Sequence, residues 1–102
     1  MSKSTSKDQI FSRRLKEARL IAGHSQKQLG ILAGIDEFVA SSRINRYEKG
    51  VHQANIDVVQ QLAIVLDVPL AYFYTEDDDL ASLIRNWSKL SLERKKKILN
   101  LV

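Results

Sequence analysis

An all-α fold of short helices is predicted for this 102-residue chain by three observations. Apolar residues recur at the three-to-four spacing of a helical face, and no stretch shows the alternation of a half-buried strand. Helix starts and stops also fall between the apolar stretches: Ser25, Asn55 and Ser91 are starts, and Gly23, Gly34 and Gly50 are stops. A chain of this length, 44% apolar, has the size of one domain with a single modest core.

Residues 1–9 are polar and read as a flexible arm, so the first helix is expected from near Ile10. Phe11, Leu15, Ala18 and Ala22 share one of its faces, and Gly23 ends it. The second helix runs from about Gln26 to Ala33 behind the cap Ser25, with Leu29 and either Leu32 or Ala33 inward. Gly30, lacking a side chain, lets a crossing helix come close. A polar third helix, about residues 41–49, closes at Gly50.

Asn55 caps a fourth helix whose Val58, Val59, Leu62, Ala63, Val65 and Leu66 form a broad apolar face, the expected centre of the core. Asp67 ends it. Pro69 suits the first turn of a short fifth helix bearing Tyr72, Phe73 and Tyr74. The acids Glu76 to Asp79 then precede Leu80, Leu83, Ile84 and Trp87 at helical spacing, and they complement a helix dipole better than they suggest a metal site. A last helix starts at Ser91. The expected organisation is an arm at 1–9, a compact unit at 10–75 and a helical extension at 76–102.

Net charge is +4, unevenly spread: residues 1–50 carry ten Lys/Arg against five Asp/Glu, and residues 51–102 carry six against seven. An anionic partner would therefore meet the first half. Cysteine is absent, which removes disulfides, thiolate zinc sites and thiol nucleophiles, and suits a cytoplasmic location. There is no apolar run of the ~20 residues that a membrane helix needs, and the start has no signal-peptide core. No Gly-rich phosphate loop or spaced His/carboxylate set is present, so neither an enzyme nor a cofactor is expected.

The pieces Arg14-Leu15-Lys16-Glu17-Ala18-Arg19, Ser25-Gln26-Lys27-Gln28-Leu29, Arg46-Tyr47-Glu48-Lys49-Gly50 and Leu62-Ala63 through Leu66-Asp67-Val68 occur in that order. In these pieces the segment from Leu15 to Phe73 resembles the Xre/Cro/repressor family of helix-turn-helix DNA-binding proteins. The resemblance implies a five-helix, lambda-repressor-like domain, here followed by one or two C-terminal helices. It also implies that the third helix lies in the major groove of double-stranded DNA while the start of the second grips the backbone.

The residues agree with this. Ser41, Ser42, Asn45, Arg46 and Lys49 share one polar face, while Ile44 and Tyr47 lie on the other and anchor the helix. Asn45 suits a bidentate contact with adenine and Arg46 one with guanine, worth ~1–3 kcal/mol of discrimination each, although either can instead hold a phosphate. Ser41 and Ser42 read bases or merely cap, and Arg43, at the edge of the face, suits a phosphate. Gln26 matches the family glutamine that reaches the DNA backbone or a neighbouring base contact. Lys27 is open between phosphate pairing and plain solvation. By the same resemblance Arg19 and Glu48 form an ion pair between the first and third helices, a supporting role.

The chain departs from the family in having fifteen residues between Gly34 and Gly50. The excess amounts to about one helical turn, ~5.4 Å if helical. It is expected at residues 36–39 as a lengthened turn that folds Phe38 and Val39 back to the core. The alternative is a third helix continuous from Asp36, with Phe38 on the polar face as an apolar contact to a thymine methyl or a wedge. His24 is expected as a half-buried packing residue, and His52 lies in a turn.

The expected function is a transcriptional regulator, a repressor of bacterial or phage type, binding as a homodimer through the apolar surplus at Leu80, Leu83, Ile84, Trp87, Leu90, Leu92, Ile98, Leu99 and Val102. An antitoxin that represses its own operon, with residues 76–102 holding a protein partner, is a variant of it. A protein-interaction module on the same fold without DNA binding is the competing class.

Overall fold

The computed structural model describes residues 7–102, which form six α-helices and one 3-10 helix, with no strand among them. Helix α1 spans Lys7–Ala22, α2 Gln26–Leu32, α3 Ala40–Glu48 and α4 Ile56–Leu66; the 3-10 helix spans Leu70–Tyr74, α5 Asp78–Trp87 and α6 Leu92–Leu101. The first helix thus begins at Lys7, ahead of the expected Ile10; residues 1–6 of the expected arm lie outside the described residues. The fifth element of the compact unit is a 3-10 turn held behind Pro69.

Capping behaves as the sequence suggests. The side chains of Ser25, Asn55, Asp77 and Ser91 accept from the backbone N–H groups of Gln28, Val58, Leu80 and Arg94, satisfying donors that a helix start leaves open. At the C-terminal ends, Gly23 and Gly34 adopt φ of +78° and +90°, and Asp67 takes the same left-handed region at φ 54°.

Leu15, Leu29, Ile44, Val59, Leu62, Tyr72 and Phe73 are fully buried and bring α1, α2, α3, α4 and the 3-10 helix into one core. Phe11 stacks into it, with ring centroids 5.4 Å from Phe73 and 6.4 Å from Tyr47. On α2, Ala33 is the inward residue and Leu32 faces solvent. Ala22, expected on the buried face of α1, is exposed.

The contact between α2 and α3 is the closest in the molecule for which a residue type is dictated. A Cβ placed on Gly30 would lie 2.7 Å from the Cβ of Ala40 and 3.1 Å from its Cα. Both residues are buried, so neither helix can rotate away from the clash. Glycine is required here by space, which outweighs the ~1 kcal/mol that it costs a helix interior relative to alanine.

A polar cluster that the sequence did not announce joins α5 to the compact unit. Arg14 is 1% exposed; its guanidinium donates to the carbonyls of Thr75 at 2.9 Å and Glu76 at 2.8 Å, and to Asp78 Oδ1 at 2.9 Å. The Tyr72 hydroxyl donates to Glu17, which also accepts from Arg85 Nη1 at 3.1 Å. Burial, reinforced by its bond to Glu17, pushes the Tyr72 phenol up to about 12, so it stays a donor across ordinary pH. Ala81, 1% exposed, completes the docking of α5. In contrast, α6 has no buried residue.

Two outcomes are expected from these contacts. Gly30→Ala should destabilise the fold by about 1–3 kcal/mol despite its higher helix propensity, read as a lower urea midpoint. The hydrogen bond from Arg14, with the charges of Arg13 and Arg14, holds the Asp78 carboxyl below its ordinary value. Its contribution to stability is therefore present above the unfolded carboxylate range and is lost as pH falls through the lower folded value. The difference in melting temperature between the native chain and Asp78→Asn should accordingly shrink below about pH 4; an unchanged difference down to pH 2 contradicts the assignment.

Candidate nucleic-acid interface

Helix α3 is held from behind and left open in front. Ala40, Ile44 and Tyr47 are buried along one stripe, whereas Ser41, Ser42, Arg46 and Lys49 are exposed and Arg43 and Asn45 are half-buried. This is the division that the helical period imposes on the sequence from Ala40 to Lys49. Gly50 closes the segment at φ +72°, and Ser12 Oγ donates to the Tyr47 carbonyl at 2.6 Å, tying the end of α3 to α1.

Orientation comes from a polar junction of three helices. Arg19 of α1 grips Glu48 of α3 with two bonds, Nε to Oε2 at 2.6 Å and Nη2 to Oε1 at 3.1 Å, and donates from Nη1 to the His24 carbonyl at 3.0 Å. The two side chains are 11% and 4% exposed, so this is a shielded, bidentate pair. Gln26, the first residue of α2, donates from Nε2 to Glu48 Oε1 at 3.1 Å and to Asn45 Oδ1 at 3.2 Å. All three helices therefore meet at Glu48.

That junction defines what the face offers. With Asn45 Oδ1 accepting from Gln26, the Nδ2 donor of Asn45 and the Oε1 acceptor of Gln26 are the amide atoms not used in that bond. A donor and an acceptor side by side are what a base edge in the major groove can pair with. Arg46 and Lys49 flank them with exposed positive charge. Ser41 stands exposed, whereas Ser42 Oγ donates to the Val39 carbonyl at 3.1 Å and acts within the first turn.

Arg43 is set apart from the rest. It lines a shallow hollow of about 350 Å³ with Asp36, Val39, Asp57 and Gln61, on the side toward α4. The structure thus brings Gln26, Asn45, Arg46 and Lys49 together and places Arg43 at the rim beside two acids. Lys27 is exposed. His24 is half-buried as expected, and His52 is exposed with its ring 6.3 Å from that of Tyr47. Among the described residues no cluster of His, Cys, Asp or Glu is arranged to hold a metal, and no helix is long and apolar enough to cross a membrane.

The turn before α3 corrects one expectation. Residues 36–39 lengthen the turn and do not extend the helix from Asp36, but Phe38 does not fold back to the core. It is 88% exposed, and Val39 is 39% exposed. No periodic signal within four residues could have revealed this.

Helix order and α3 geometry agree with the helix-turn-helix family model, which matches residues 15–73. The chain belongs to the Xre/Cro-type helix-turn-helix family of DNA-binding proteins. A solved structure, the crystal structure of transcriptional regulator BswR, is 51% identical and superimposes with a TM-score of 0.82. The match covers 88% of this chain and 89% of that one, too much to be met without residues beyond 73, so the likeness extends into the C-terminal helices. No curated protein sequence gives a significant match.

Glu48→Ala should weaken DNA binding mainly by loosening the fold. Leaving Arg19 without its carboxylate should cost about 3 kcal/mol, read as a lower thermal midpoint; an unchanged midpoint would rule out the supporting role.

Proposed function

We propose that the protein is a sequence-specific, double-stranded DNA-binding transcriptional regulator that acts as a homodimeric repressor, with α3 in the major groove. The observation that carries the reading is the row of half-buried Asn45 and exposed Arg46 and Lys49 beside Gln26, on a helix whose other face is fixed by Ile44, Tyr47 and the Arg19–Glu48 pair. A helix clamped on three sides presents its fourth in a single geometry, as base reading requires. The excess of positive charge in residues 1–50 and the 51%-identical transcriptional regulator both support it.

The homodimer is supported by the C-terminal helices. Leu80 and Leu83 of α5 and Leu92, Leu99 and Leu101 of α6 are exposed, and no residue of α6 is fully buried. A two-fold dimer through this surface would need its two recognition helices ~34 Å apart to face successive major grooves. Repression then follows from occupancy of the site.

Mobility-shift titration on selected genomic fragments, over a range of salt, tests the reading. Arg46→Ala should lose ~1–3 kcal/mol of preference for the selected site if it reads a base, whereas Lys49→Ala should weaken all sequences and lower the salt slope by about 1. No binding to any fragment at low salt overturns the proposal. Sedimentation of the free chain should show a dimer; a monomer at every concentration removes the homodimer.

A further inference from the structure

The extra turn between α2 and α3 is built by its own hydrogen bonds. The Asp36 carboxylate accepts from the Phe38 N–H at 2.8 Å, the Asp36 carbonyl from the Val39 N–H at 3.1 Å, and the Val39 carbonyl from the Arg43 N–H at 2.8 Å. Val39 is already in the right-handed helical region. The turn therefore leads directly into α3, which starts at Ala40.

Counted back from α3 at the helical period, Phe38 falls one turn before Ser42 and two before Asn45, opposite the buried stripe of Ala40, Ile44 and Tyr47. Val39 falls instead with Arg43, beside α4. The 88% exposure of Phe38 agrees with this placement: an aromatic ring stands in water at the leading end of the polar face. Its neighbours in the turn, Asp36 and Glu37, are acids, so the tip carries no cation with which to hold a phosphate. Whatever the ring meets, it meets as an apolar group. The N-terminal residues of a recognition helix are those that reach base edges, and the apolar group presented in the major groove is the 5-methyl of thymine.

We propose that Phe38 is a further specificity-determining residue, its ring packing on the 5-methyl group of a thymine at the end of the base sequence spanned by α3. This rests on the DNA-binding reading above and adds to it a base that no hydrogen-bonding side chain identifies. The extra turn then lengthens the stretch of DNA read by one apolar contact.

Replacing each thymine of a selected binding site in turn by deoxyuridine removes one methyl group and leaves the pairing intact. With the full-length native chain, one such position should cost about fourfold in affinity, the equivalent of one buried methyl group. Phe38→Ala should show no penalty there, and Phe38→Leu should retain part of it. Because the ring is exposed, Phe38→Ala should keep the native melting temperature, so the loss cannot be attributed to unfolding. Deoxyuridine penalties identical in the native chain and Phe38→Ala, with site-specific binding retained, overturn the proposal and leave the regulator reading intact. Failure to select any preferred site overturns both.

Discussion

The bidentate pair between Arg19 and Glu48 is the constraint on which the recognition geometry depends. It spans α1 and α3, and Gln26 adds α2 to the same carboxylate. Apolar packing at Ile44 and Tyr47 fixes how deeply α3 sits but is nearly indifferent to small rotations about its axis, since the hydrophobic effect has no direction. A carboxylate held in plane by a guanidinium fork does have direction. The rotation of α3, and hence the aim of Asn45 and Arg46, follows from Glu48.

Close packing supplies the second half of that constraint. With Gly30 against Ala40, α2 and α3 approach until their backbones nearly touch, which sets Gln26 within reach of Asn45 as well as Glu48. Gln26 thus couples support to recognition: one amide nitrogen donates to the residue that orients α3 and to a residue that α3 presents. A ligand drawing on Asn45 must share it with Gln26.

The C-terminal helices divide by the same logic. Residues 76–87 are fastened by a buried arginine, a tyrosine hydroxyl and the acids at the start of α5, so α5 belongs mechanically to the compact unit. Helix α6 is capped by Ser91 and carries a ring contact from Lys95 to Trp87 at 5.6 Å, yet it keeps Leu92, Leu99 and Leu101 in solvent. The apolar surplus noticed in the sequence is therefore real and is concentrated where the chain does not satisfy it.

The sequence by itself determined the helices and the starts marked by caps, because capping and helical spacing are local properties: Ser25, Asn55 and Ser91 start helices wherever the rest of the chain lies, whereas α1, with no such signal at Ile10, begins earlier at Lys7. It also determined which side of α3 is buried, and the need for a small residue at position 30. Family resemblance supplied the partnership of Arg19 with Glu48. Tertiary structure alone decided three things. Arg14 is buried because carbonyls of Thr75 and Glu76, some sixty residues away, converge on it, and no local pattern encodes that. Arg43 lines a hollow with Asp36 and Asp57, which come from the turn and from α4, and no local pattern brings these together. Phe38 is turned outward, and a four-residue turn is too short for any period to show on which side its one ring will fall.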